Sequence, residues 1–280
     1  MKIGIMSGAY IGRYGWEIGP QKMADHGYEA VDYQAFANTN RPLFSLSERD
    51  FEATLKQERA AMERAGIEIY QAHGPWRYPI LDFTAQQRAE RFEKMAKSIR
   101  GCAILGCKHL VIHNIMPYGN RDLSRRTVLE INRDFIGRLA EIGQEYGVIV
   151  CMENMPFLHQ CLATPDALFS FVREMNIPHL RLCLDTGHCA VRGISPADAV
   201  RQWGKEYLYT LHVHDNNGRR DQHLPPEQGV IDWADLTKAL AEIGYEGVFS
   251  LETAVPGSIV EGRENEEIAL AKTALRLAGR

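Results

Sequence analysis

The chain has 280 residues, 45% of them apolar and 24% charged, the composition of a globular protein with a sizeable core. Its net charge of −4 lacks the basic excess of nucleic-acid-binding domains, so DNA or RNA is not expected as a partner. No stretch approaches the roughly 18 uninterrupted apolar residues of a membrane span, and six cysteines without a CxxC pair suit small buried thiols in a reducing, cytoplasmic setting rather than a thiolate zinc site.

Short apolar runs alternate with longer helical patterns from end to end. The opening MKIGIMSGAY is too short for a signal peptide and reads as a first strand, Lys2–Met6. Ala30–Gln34 is the second, and Ser47 with Asp50 marks a helix start in the manner of a capping box. Ile67–Ala72 is the third, after which Thr84 with Gln87 repeats that signal. His109–His113 and Val148–Glu153 follow, and Thr164-Pro165 then sets a capping hydroxyl just before proline at the first helical position. Leu180–Asp185 is the sixth strand, and Ser195-Pro196 repeats the hydroxyl–proline start. Tyr207–His214 is the seventh; Asp232 then caps WADLTKALAEIG, with Gly244 as its stop. Gly247–Glu252 is the eighth, and a helix from roughly Val260 to Leu277 ends the pattern.

These runs are continuously apolar rather than alternating, as strands covered on both faces should be. No linker or low-complexity segment interrupts them, so one domain over residues 1–280 is expected. The predicted fold class is α/β, a single (β/α)8 TIM barrel, whose usual length is roughly 250 residues. An open doubly wound sheet is the alternative, and it lacks the glycine-rich nucleotide loop after its first strand.

The chemistry-bearing residues fall at strand ends. Strand three runs into His73, strand four ends at His113 and strand five at Glu153. Strand six ends at Asp185, strand seven carries His212 and His214, and strand eight ends at Glu252. In a parallel barrel these C-terminal ends converge on one mouth, where barrel enzymes keep their active sites. Carboxylates and imidazoles gathered there suit a borderline divalent ion, and without a cation the carboxylates would repel one another. Any one of them could be a satisfied core polar group or a strand-end cap; a run of consecutive strands finishing alike is hard to explain that way. Asp185-Thr-Gly-His188 adds an imidazole in the loop after strand six, and Asp221-Gln-His223 adds an Asp-x-His pair that chelates an ion or orders its loop. His109 sits at the opposite strand end, and His26, His159 and His179 read as solvated turn residues.

The succession His73, His113, Glu153-Asn-Met-Pro156, Asp185-Thr-Gly-His188, His212-Val-His-Asp215, Asp221-Gln-His223 and Glu252 resembles the xylose-isomerase-like TIM barrels across essentially the whole chain. That superfamily holds sugar isomerases and epimerases, inosose dehydratases and isomerases, and the family 2 AP endonucleases. In the ketose epimerase branch the resemblance implies one metal, Mn2+, Zn2+, Co2+ or Mg2+, held by Glu153, Asp185, His212 and Glu252, with His188 on a substrate oxygen. Alternation puts His212 and His214 on one strand face, so the choice of His212 comes from the resemblance alone. In the endonuclease branch the resemblance implies three zinc ions, with His73, His113, His188, Asp221 and His223 as further ligands. The loops SGAYIGRYGW and FANTNRPLF offer one Arg each, too little for a DNA backbone.

The activity this implies is metal-assisted proton transfer beside a carbonyl of a sugar, keto-sugar or inositol derivative, with the ion as Lewis acid and an enediolate as intermediate. Glu153 and Glu252 are the expected general base and acid. Exchange of their roles on opposite faces gives epimerisation, delivery to the neighbouring carbon gives isomerisation, and loss of a β-hydroxyl gives dehydration. A non-catalytic sugar-binding or assembly subunit is a further alternative. Trp76 is the expected stacking wall; Tyr10, Tyr14 and Trp16 are weaker candidates, and Arg219 and Arg220 could meet an anionic group or simply face solvent. No phosphate cradle is visible, and exposed aromatics near the mouth permit a homo-oligomer.

Overall fold

Eight parallel strands stand side by side in a ring and helices cover its outer face. In chain order the elements are β1 (Lys2–Met6), α1 (Ser7–Asp25), β2 (Ala30–Tyr33), α2 (Glu48–Arg64), β3 (Glu68–His73), α3 (Ala85–Leu105), β4 (His109–Ile112) and α4 (Arg125–Tyr146). Then come β5 (Ile149–Glu153), α5 (Pro165–Met175), β6 (Leu180–Asp185), α6 (Thr186–Val191), α7 (Pro196–Tyr207), β7 (Leu208–His212), α8 (Trp233–Glu242), β8 (Val248–Leu251) and α9 (Arg263–Leu277). This computed structural model describes residues 1–76, 80, 82–119, 121, 124–253 and 263–280, so the predicted start of the last helix at Val260 lies outside the described residues.

Each strand pairs in parallel with its sequence neighbour, and β1 pairs with β8. The ring closes between β7 and β8 through a single bridge, in which the Val213 N–H reaches Ser250 O at 2.8 Å and the Glu252 N–H reaches Val213 O at 3.0 Å. Strand order that follows chain order and returns to its start rules out the open doubly wound sheet.

Alternation along each strand divides the core. On β5, Val150 and Met152 face the helices within the main cluster, while Cys151 joins Val111 and Cys183 in a separate cluster. Glu153 shares the parity of Cys151 and so points inward at the mouth. Cys102, Cys107, Cys151, Cys183 and Cys189 are all buried, as the composition suggested.

The predicted caps form. Thr84 and Gln87 make a reciprocal capping box on α3, and the Thr164, Ser195 and Asp232 side chains each accept the first free N–H groups of α5, α7 and α8. Ser47 accepts from Asp50 N, but the Asp50 carboxylate takes the Ser47 hydroxyl instead of returning to its backbone, leaving half a box. Within α1, Gly15 at φ 69° interrupts the helical path. His26 is not solvated: it is 7% exposed and shares a 2.7 Å hydrogen bond with the Tyr10 hydroxyl, because α1 folds back over it. Tyr10 is itself 2% exposed, a core aromatic rather than a substrate wall. Among the described residues no helix is long and apolar enough to cross a membrane.

Candidate metal centre

At the C-terminal ends of β5 to β8 the Glu153, Asp185, His212 and Glu252 side chains offer ligand atoms that all lie within 4.8 Å of one another. The reason is geometric: neighbouring parallel strands pair Glu153 with Cys183 and Asp185 with His212, so inward-facing residues at successive strand ends meet across one small opening. Glu153 Oε1 lies 2.9 Å from His212 Nδ1, and Glu252 Oε2 approaches the same nitrogen at 3.4 Å. The other Glu153 oxygen meets His113 Nε2 at 3.0 Å, with His73 Nε2 at 3.9 Å.

Asp185 does two things at once. Its Oδ1 caps α6 by accepting the His188 N–H, and its Oδ2 lies 3.0 Å from His214 Nε2. The segment after β6 is therefore a short helix, not the loop expected from the sequence, because the strand-end carboxylate is also its N-cap. Gly187 in that helix packs against the His214 ring so tightly that a Cβ would sit 1.9 Å from Cε1.

A second cluster lies beside the first. His188, His214, Asp221 and His223 again offer ligand atoms within 4.8 Å of one another. Asp221 Oδ2 is 3.2 Å from His188 Nε2 and 3.3 Å from His223 Nε2. The opposite nitrogens are tied to main-chain oxygens: His188 Nδ1 to Asn154 O at 2.8 Å and His223 Nδ1 to Glu252 O at 2.6 Å. Such outer contacts orient imidazoles toward a ligand. The loop carrying Asp221 and His223 is shaped by Asp215, whose carboxylate accepts from the N–H groups of Asn216, Gly229 and Val230 and from the Trp233 indole at 2.8 to 3.0 Å.

The predicted residues thus separate into two groups. Glu153, Asp185, His212 and Glu252 share one cluster, with His73 and His113 on its Glu153 side; His188, Asp221 and His223 share the other. The chain leaves β7 after His212 because Val213 bridges to β8, and His214 then faces Asp185 and the second cluster. Sequence reasoning missed the parts played by His214, Asn154 and Asp32. Asn154 clamps the Asp185 backbone through Oδ1 at 2.8 Å and Nδ2 at 3.0 Å. Asp32 lies 2.8 Å from His212 Nε2. Its signal was an acid inside the apolar run AVDY.

The charges here are partly balanced within the protein. Burial penalises the charge on His212, yet Cys183, Glu153, Glu252 and Asp32 outweigh it and hold the imidazolium well above its ordinary range. Burial likewise opposes ionisation of Glu153, but His212 and His113 keep it well below the usual carboxylate range. For His188, burial is overcome by Asp185, Asp221 and Glu153, which raise it to about 10. At His113 burial wins, and the imidazole is pushed down to about 4. Three carboxylates against one imidazolium leave an excess of negative charge, with Glu153, Asp185 and His212 buried and Glu252 partly so, a donor set that fits a divalent cation.

Above the clusters is a cavity of about 380 Å³. Its floor is His73, His113, Glu153, His188, Asp221, His223 and Glu252, and its apolar wall is Ala37, Trp76, Met155, Pro156 and Phe157. Trp76 meets His113 edge-on at 5.4 Å. Among the described residues no Lys or Arg lines the cavity.

Comparison with known proteins agrees with this architecture. The chain is 30% identical over 197 residues to an uncharacterised protein of Methanocaldococcus jannaschii, covering 66% of each. It is 30% identical over 115 residues to a D-psicose 3-epimerase of Enterocloster bolteae, covering 41% of this chain and 36% of that one. The matches thus span no more than 66% of the length of these curated relatives. A crystal structure of the IolI protein with a bound zinc atom superposes with a TM-score of 0.78 at 18% identity, covering 98% of this chain and 96% of that one. The model of the xylose isomerase-like TIM barrel family matches residues 20–277, and the chain belongs to that family.

Proposed function

We propose that this protein is a divalent-metal-dependent isomerase or epimerase of a small uncharged sugar or sugar derivative, in which Glu153 and Glu252 move the proton of a carbon beside a carbonyl. The observation that carries the reading is the convergence of Glu153 and Glu252, from β5 and β8, on one imidazole nitrogen beneath a 380 Å³ cavity. A divalent ion held by Glu153, Asp185, His212 and Glu252 would supply Lewis-acid polarisation of substrate oxygens. Of the two carboxylates, one takes the proton from carbon and the other returns one, to the same carbon or to its neighbour. The Trp76 and Phe157 wall offers an apolar face to a sugar ring, and His188 and His223, whose Nε2 atoms both meet Asp221 Oδ2, line the cavity beside it. Among the described residues the cavity offers no Lys or Arg to pair with a phosphate, which favours a substrate without one. Support for the substrate class comes from the D-psicose 3-epimerase relative, and the zinc in IolI is consistent with an ion at such a mouth.

The test is hydrogen exchange in deuterated water across a panel of ketohexoses and inososes, with the metal-loaded protein. Deuterium should enter the substrate at carbon, and Glu153→Gln or Glu252→Gln should slow turnover by about 10²–10⁴-fold. Unchanged turnover in Glu153→Gln with its metal retained would remove the proton-transfer assignment. Sugar binding with no exchange would point to a non-catalytic subunit.

The cluster of His188, His214, Asp221 and His223 favours a second reading, a multi-ion phosphodiester hydrolase. Metal stoichiometry separates the two: one ion per chain supports the isomerase reading, three the hydrolase. Cleavage of abasic-site DNA would decide for the latter.

A further inference from the structure

We propose that Asp32 is a positioning residue for the metal centre, fixing the proton of His212 on Nε2 and presenting Nδ1 as its donor atom. This rests on the reading above in one respect only, that His212 is a ligand.

Asp32 stands on β2, outside the strands that supply the candidate ligands, and is 0% exposed. Its Oδ2 is 2.8 Å from His212 Nε2. The same oxygen accepts Gln71 Nε2 at 3.1 Å, and Gln71 also donates to Leu211 O at 3.2 Å, the residue before His212. The carboxylate is therefore tied to the end of β7 through both a side chain and the backbone. A carboxylate only accepts, so the nitrogen facing it carries the hydrogen. Nδ1 faces Glu153 at 2.9 Å and Glu252 at 3.4 Å and by the same rule carries a hydrogen while no ion is held. An ion gathered by Glu153, Asp185 and Glu252 would displace that hydrogen and leave the one on Nε2, because Asp32 stands outside the cluster. The ring has no freedom to turn: it is 0% exposed and stacked on His73 with centroids 5.5 Å apart and planes 3° from parallel.

A purely space-filling role would not call for a charge. Burying a carboxylate is costly unless it is paired, and a neutral amide would meet the Gln71 donor as well. The arrangement has the form of a carboxylate–imidazole–metal triad, in which the outer acid sets ring orientation and strengthens the donor nitrogen.

The experiment compares metal-stripped wild type with Asp32→Asn for Co2+ affinity, by chelator competition, and for Co2+ visible absorption. The variant should bind 10–100-fold more weakly, as outer-contact losses typically do, with an altered absorption band that reports ligand geometry. Equal affinity and an identical band would overturn the role of Asp32 and leave the metal reading standing. Failure of wild type itself to bind Co2+ or Zn2+ would overturn both. Histidine 15N spectra of Zn2+-loaded wild type need no variant: a protonated Nε2 and a metal-shifted Nδ1 are expected at His212, and the reverse assignment overturns the proposal.

Discussion

Glu58 and Tyr33 show how one residue can carry pH dependence far from any chemistry. Tyr33 on β2 donates its hydroxyl to the Glu58 carboxylate, which is half-buried on α2. Burial pushes Glu58 up to about 7, and the Tyr33 hydrogen bond and the Arg41 charge only partly offset it. A carboxyl whose folded-state value is raised stabilises the fold fully below its unfolded value near 4.5, and that contribution is lost as pH climbs through about 7. Glu58→Gln stays neutral throughout. Its melting temperature should therefore gain on that of wild type between about pH 4.5 and pH 7, and parallel curves over that window would refute the assignment. No comparable reading exists for Lys2 and Glu68, whose exposed pair is screened by water.

At the scale of elements, the strands were legible because parallel strands covered on both faces must be apolar throughout, and each observed strand lies within two residues of its predicted run. What the strand pattern could not carry was polarity inside the ring. Asp32 and Gln71 interrupt apolar runs, and a sequence offers no way to tell a buried network from a strand of mixed character. Parity also could not separate His212 from His214, since only the bridge at Val213 divides them. His26 was misjudged for a similar reason: its partner Tyr10 is supplied by helix packing, not by sequence spacing. In α6 the same limit yields a prediction. Gly187 leaves room for the His214 ring, and a Cβ would stand 1.9 Å from it. Gly187→Ala should cost about 1–3 kcal/mol by overpacking and push His214 away from Asp185, measurable by urea denaturation and by histidine NMR. A midpoint equal to that of wild type would mean the helix shifts freely.

For the whole molecule, the ring is uneven. Between β5 and β6, residues 150–153 pair continuously with 180–183, whereas among the described residues the main chains of β7 and β8 are joined at one bridge, Val213, with its two hydrogen bonds. Local opening should start there, so the Val213 and Glu252 amides should exchange with deuterium faster than those of Val150 and Met152, which face β6, in native conditions. Equal protection at all four would argue for a uniformly closed ring. The His223 ring, bonded to Glu252 O, and the Thr253 hydroxyl, bonded to His223 O at 2.5 Å, span this same gap from the loop that follows β7. That loop is in effect a clasp across the one weak joint of the hoop. An ion or ligand held by His223 and Asp221 would tie the two lips together as well, so that occupancy of the mouth would stiffen the ring.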